Sequence, residues 1–124
     1  MDSPFWGTIF EGFVASEIVK AQINRGMARQ LYFFRDEQGL EVDFVVPSKG
    51  AKIHLIETKA SQTVFPDAAA GLRKLASKMK NRSHEQCVIY RGRESSSGTV
   101  SAVTALAPGV KAFKLRPFLK TTFG

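Results

Sequence analysis

Leu40-Glu41-Val42-Asp43-Phe44-Val45-Val46 and, after a short break, Ile53-His54-Leu55-Ile56-Glu57-Thr58-Lys59 are the two stretches that decide how this chain folds. Both are apolar runs bounded by turn residues, as strands are. Yet they carry the acids Glu41, Asp43 and Glu57 and the lysine Lys59. Charged side chains are seldom buried in strands unless paired or bound to a metal, so this placement is costly without a use. The period of two puts Glu41 and Asp43 on one face of the first strand. It puts Leu55, Glu57 and Lys59 on one face of the next.

The residues alone leave two chemistries open. In the first, Asp43 and Glu57 hold a hard cation, Mg²⁺ or Mn²⁺, with the Thr58 backbone carbonyl as a third oxygen donor. Mg²⁺ favours oxygen ligands, keeps several waters and often uses one or two carboxylates. A metal lowers the pKa of its water and stabilises charge on a phosphate, and Lys59 would orient that water or offset the phosphate charge. In the second, Lys59 neutralises Glu57 or Asp43 and the cluster only fixes strand register.

Working outward, Gln30 to Arg35 reads as a strand ahead of these two. Asp36-Glu37-Gln38-Gly39 is a tight turn with Gly39 at positive φ, and Pro47-Ser48-Lys49-Gly50 is a second turn. The strands Gln30–Arg35, Leu40–Val46 and Lys52–Ala60 then form an antiparallel meander. Upstream, Ile9 to Ile23 has helical periodicity, with Phe10, Phe13, Val14, Ile18 and Ala21 on one stripe, Glu11, Lys20 and Gln22 between them, and Gly26 as the stop. Downstream, Ala69, Leu72, Leu75 and Met79 predict a helix from about Pro66 to Lys80. Its opposite face carries Arg73, Lys74, Lys78 and Lys80. Gln86 to Arg91 is a fourth strand, reached by a helical crossover and so parallel to the third. Arg91 to Gly98 is a polar loop, and Thr99 to Leu106 a fifth strand. In the tail after Pro108, Phe113, Leu115, Phe118 and Leu119 are suited to covering a sheet edge.

The 124 residues are 44% hydrophobic and 23% charged, with a formal net charge of +7. This is the composition of one globular domain, residues 1–124, burying roughly two thirds of its unfolded surface. The positive charge favours acidic partners, nucleic acid first, and the basic helix face with Arg82 is suited to gripping phosphates beside the acids. A solvated helix face is the alternative. No apolar run approaches the ~20 residues of a membrane span and no signal peptide precedes Phe5. The single cysteine, Cys87, reads as a small buried hydrophobe, fitting a reducing, cytoplasmic setting. His54 faces away from Glu57 and reads as a structural histidine with its bonds satisfied. Arg35 and Asp36 read as a turn cap or surface ion pair. Phe5 and Trp6 are packing or docking residues, and exposed aromatics on so small a domain make a dimer one expected state.

The order helix with Glu11, then Asp43, then Glu57-Thr58-Lys59 ahead of a helix resembles the PD-(D/E)xK nuclease superfamily. A closer resemblance is to DUF4143, domains found at the C-terminus of bacterial and archaeal AAA+-type ATPases. It is carried by Gly7-Thr8-Ile9-Phe10-Glu11-Gly12-Phe13-Val14-Ala15-Ser16-Glu17, Leu31-Tyr32-Phe33-Phe34-Arg35-Asp36, Gly39-Leu40-Glu41-Val42-Asp43-Phe44, Ile56-Glu57-Thr58-Lys59-Ala60-Ser61 and Gly71-Leu72-Arg73-Lys74-Leu75. The resemblance implies an α/β, restriction-endonuclease-like core (α-β-β-β-α-β) with a mixed central sheet flanked by helices. It also implies metal ligands at Asp43 and Glu57, a catalytic Lys59, and Glu11 completing the site. Val42 stands where the superfamily's motif has proline. The chain has no GxxxxGK[ST] pattern, so it is not expected to use ATP by that route. A metal-dependent nuclease-like domain is the first expectation. A non-catalytic interaction or nucleic-acid-binding module serving an ATPase is the second.

Overall fold

The computed structural model describes residues 4–48, 51–79, 82–92 and 103–124. In chain order the elements are α1 (Pro4–Asn24), β1 (Tyr32–Arg35), β2 (Glu41–Pro47), β3 (Ile53–Lys59), α2 (Ala70–Ser77, entered through a 3-10 turn at Pro66–Ala69), β4 (His84–Tyr90), β5 (Val103–Ala107), β6 (Val110–Lys114) and α3 (Leu115–Phe123). The strands form one mixed sheet in the order β1-β2-β3-β4-β6-β5. The first three make the expected antiparallel meander, β4 runs parallel to β3, and β6 runs parallel to β4. The fold is α/β, a mixed sheet flanked by helices.

Both faces are covered at the centre of the sheet, which explains the consecutive apolar residues Leu55-Ile56 in β3 and Cys87-Val88-Ile89 in β4. Ile56, Cys87 and Ile89 pack with Val14 and Ile18 of α1 and Phe118 of α3. Leu55 and Val88, one residue out of phase, pack on the other face with Leu72, Leu75 and Ala76 of α2. The three-and-four spacing of α2 thus faces the sheet as predicted; Lys80 lies outside the described residues. So do Lys49 and Gly50 of the second turn, most of the serine-rich loop, and residues 99–102 of the expected fifth strand.

A β-bulge shapes the middle of the sheet. Tyr32 pairs with Val45 but Phe34 with Val42, so β2 has one residue more than β1 between these pairs. Val42 and Val45 accordingly pack on the α2 side, while Phe44 and Val46 pack on the α1 side. The strand changes face beside Asp43, and strict alternation does not hold there.

Three expectations are corrected. The tail does not cover an edge: Pro108-Gly109, with Gly109 at φ +77°, turns β5 back into β6, which inserts between β4 and β5. Val110, Ala112 and Phe113 of β6 are buried, and α3 then packs beside α1. Phe13 is 52% exposed, because the buried face of α1 runs through Phe10, Val14 and Ile18 and leaves Phe13 on its flank. Gln22, read as an interleaved polar residue, is fully buried. Its Nε2 donates to the Gln30 carbonyl at 2.8 Å and its Oε1 accepts from the Gln30 N–H at 3.1 Å. This pair of bonds ties the end of α1 to the chain entering β1. Gly26 (φ +71°) ends the helix in the expected way, as the Gly26 and Met27 N–H groups close on the carbonyls of Ile23 and Gln22.

Gln22→Leu keeps the volume but strips the Gln30 backbone of both partners. It should lower unfolding free energy in urea by about 1–3 kcal/mol, the cost of buried unpaired polar groups.

Candidate functional site

Continuing the β2–β3 register one step past Phe44↔Ile56 brings Asp43 opposite Glu57. Here the ladder gives way to side-chain bonding. Asp43 Oδ2 accepts the Thr58 N–H at 2.8 Å and the Thr58 hydroxyl at 2.9 Å, so a carboxylate replaces the backbone acceptor. Glu57 is half-buried and hydrogen-bonded to Asp43. Burial first, then that bond and the Asp43 charge, push the Glu57 carboxyl up to about 9, while the Lys59 charge opposes them. With its carboxyl raised that far, Glu57 favours the protonated form at neutral pH.

Glu11, on α1, does not line the cleft described below but lies within range of the charges of Asp43 and Glu41. Burial, then the charges of Asp43 and Glu41, raise its carboxyl above the usual range. Glu41 is exposed and pairs with Arg35 Nε at 2.9 Å. Glu41, Asp43 and Glu57 line a cleft of about 690 Å³ between the β1–β2 hairpin and α2, with Lys74, Ser77 and Lys78 on the helix side. Gly71 allows this approach: a Cβ there would sit 3.1 Å from the Glu41 carbonyl oxygen and 3.7 Å from Glu57 Oε2. Lys78 Nζ lies 3.3 Å from Asp36 Oδ2, and Asp36 also accepts the Gln38 and Leu40 N–H groups, making it the expected turn cap. Arg73, on α2, is exposed and does not line this cleft.

Lys59 is exposed at the end of β3, on the rim of an adjoining cleft of about 570 Å³ that Arg91 also lines. No salt bridge joins it to Glu57 or Asp43 among the described residues. The Lys59 carbonyl accepts the Arg91 N–H on the β4 side, so the backbone of Thr58, one residue back, turns towards β2 and Asp43. The donor set of two carboxylates and a carbonyl is all oxygen, the chemistry that a hard divalent cation requires.

On the opposite face, the reading of His54 as satisfied holds for only one of its nitrogens. Nε2 lies 2.9 Å from Ser48 Oγ, while Nδ1 is buried without a hydrogen-bond partner. Cys87, a small buried residue of a strand as expected, lies close to it together with Glu85. What brings them together is the β3–β4 register, which sequence spacing does not contain.

A raised carboxyl pKa binds an extra proton in the folded state, so Glu57 favours folding below its unfolded value and that contribution is lost as pH rises towards about 9. Glu11, raised for a similar cause, acts with the same sign. Without metal, thermal stability should fall between pH 5 and pH 9. Glu57→Gln, a lasting mimic of the protonated acid, should flatten that slope and stabilise the chain at pH 8 by more than about 1.4 kcal/mol, the equivalent of one pKa unit.

No curated protein and no solved structure matches the chain. A family model does match, over residues 6–107, which runs from α1 through β5 and includes Glu11, Asp43, Glu57 and Lys59. That span is most of the molecule and all of the acid cluster: the chain belongs to DUF4143, a domain of unknown function.

Proposed function

We propose that this domain is a metal-dependent nuclease of the PD-(D/E)xK type, hydrolysing phosphodiester bonds in nucleic acid. The observation that carries the reading is the Asp43–Glu57 pair, two carboxyls set opposite each other at the wall of an open cleft. Two carboxyls held this close are a natural place for a divalent cation, which would displace the Glu57 proton and satisfy both acids.

Asp43, Glu57 and the Thr58 carbonyl would hold Mg²⁺ or Mn²⁺. The ion would supply Lewis acidity at a phosphate oxygen and a water of lowered pKa. Thr58 keeps Asp43 aimed by its two hydrogen bonds. Glu11 adds a third negative charge and tunes the pair. Lys59, across the rim from Glu57, offsets charge on the phosphate. Lys74 and Lys78 at the cleft mouth would track the backbone of the strand, with Arg73 further out on the helix. Such contacts carry no sequence information and weaken with salt.

One observation favours a second reading, a non-catalytic module that docks on an AAA+-type ATPase or another protein. Trp6, Ile9 and Phe13 follow helical spacing on α1 and are exposed, and Phe33 on β1 is 76% exposed. Nucleic acid, an ATPase and a second copy of the chain are all proposed partners on these grounds. Among the described residues no helix is long and apolar enough to cross a membrane.

Calorimetric titration with Mn²⁺ at pH 7, in buffers of different ionisation enthalpy, should show binding with release of about one proton. Asp43→Ala and Glu57→Ala should abolish the binding. Absence of binding at millimolar Mn²⁺ would discard the nuclease reading in favour of docking. Lys59→Met should retain metal affinity but lose roughly 100-fold or more of any cleavage of single- or double-stranded DNA or RNA, as expected for a lost charge stabiliser.

A further inference from the structure

The sheet carries a second cluster of ligand-type side chains, at the opposite end of β3 and on the opposite face from the carboxylate cleft. Parallel pairing sets His54 beside Glu85 and Ile56 beside Cys87, so His54, Glu85 and Cys87 share the α1–α3 face. His54 Nδ1, a Glu85 carboxylate oxygen and Cys87 Sγ all lie within 4.8 Å of one another. We propose that these three atoms form a binding site for a thiophilic divalent metal ion of the zinc class, distinct from the carboxylate cleft.

The unpartnered nitrogen points to an ion. His54 is only 6% exposed and stacks edge-on against Phe118, so its ring is fixed. The Ser48 hydroxyl donates to the Lys52 carbonyl, 3.4 Å away, and so accepts from His54 Nε2–H. That bond leaves Nδ1 as a bare lone pair, the form in which imidazole ligates metals. It faces Glu85 Oε2 at 4.0 Å, acceptor against acceptor. A proton or a metal ion resolves that opposition, and burial works against the proton by lowering the His54 pKa, with Lys52 adding to it and Glu85 opposing.

The remaining groups fit a metal. Lys52 Nζ occupies Glu85 Oε1 at 3.0 Å and leaves Oε2 turned to the histidine. Lys111, beside Cys87 in the β4–β6 register, favours a thiolate against the burial that pushes the thiol up to about 12. On binding, the Cys87 S–H bond gives its proton to solvent and the sulfur's electron pair goes to the ion. Thiolate and carboxylate then neutralise a divalent charge in a largely buried place. Metal–ligand bonds of about 2.0–2.3 Å put tetrahedral ligands roughly 3.5 Å apart, so side-chain adjustment of about 1 Å closes the site. Mixed nitrogen, sulfur and oxygen donors select zinc-like ions over Mg²⁺. Glu85 and Lys52 are partly exposed, which gives the ion a way in.

The test is titration of the reduced full-length chain with Co²⁺, a spectroscopic stand-in for Zn²⁺, followed by displacement with Zn²⁺. The expected result is thiolate-to-cobalt charge-transfer absorption that saturates at about one ion per chain and is bleached by Zn²⁺. Asp43→Ala should leave it unchanged, and Cys87→Ser should remove it. His54→Gln and Glu85→Gln, which leave Cys87 in the core, should each weaken binding by about tenfold or more. No charge-transfer band at millimolar Co²⁺ overturns the site, as does a band that disappears in Asp43→Ala or keeps its affinity in both His54→Gln and Glu85→Gln.

Discussion

The two hydrogen bonds that Thr58 donates to Asp43 sit where β2 and β3 stop pairing through their backbones. A strand that leaves its neighbour exposes backbone groups needing partners, and here a carboxylate provides one. This substitution has two effects at once. It terminates the ladder without leaving the Thr58 N–H unpaired, and it fixes Asp43 against Glu57, whose proton then completes the contact. The cleft opens beside that point because α2 presents Gly71 rather than a side chain. Strand geometry, the perturbed acid and the accessible cavity are one arrangement described at three scales.

The electrostatics of the molecule divide in a similar way. The chain as a whole is strongly basic, yet Glu11, Glu41, Asp43 and Glu57 gather in one region. Lys74 and Lys78 border that region without neutralising the central pair, since Lys78 is engaged by Asp36 and Lys59 stands at the rim of the next cleft. Acids at the centre thus stand within a border of cations.

Much of this was legible in the sequence because it depends on local pattern. The meander, the crossover and α2 follow from turn residues and periodicity, and the acids declare themselves by being charged within apolar strands. What was not legible depends on pairing. The bulge beside Asp43 adds a residue that no propensity marks. Gln22 looks like any surface glutamine until the chain folds back to offer the Gln30 backbone. The insertion of β6 between β4 and β5 requires knowing that Val110, Ala112 and Phe113 find a neighbour, which their alternation alone does not reveal. His54 and Cys87 stand 33 positions apart in the sequence, and only strand register makes them neighbours.

The bulge also bears on how sequences of this kind can diverge. Because β2 changes face at Asp43, the count of residues between Leu40 and Phe44 determines which side of the sheet the acid serves. Exchanging Val42 for another apolar residue leaves the count intact, so that one position can vary in composition. Losing or gaining a single position would carry every later side chain of β2 across the sheet and part the acid from Glu57. This short stretch is therefore strict in length wherever Asp43 and Glu57 are to stay opposed.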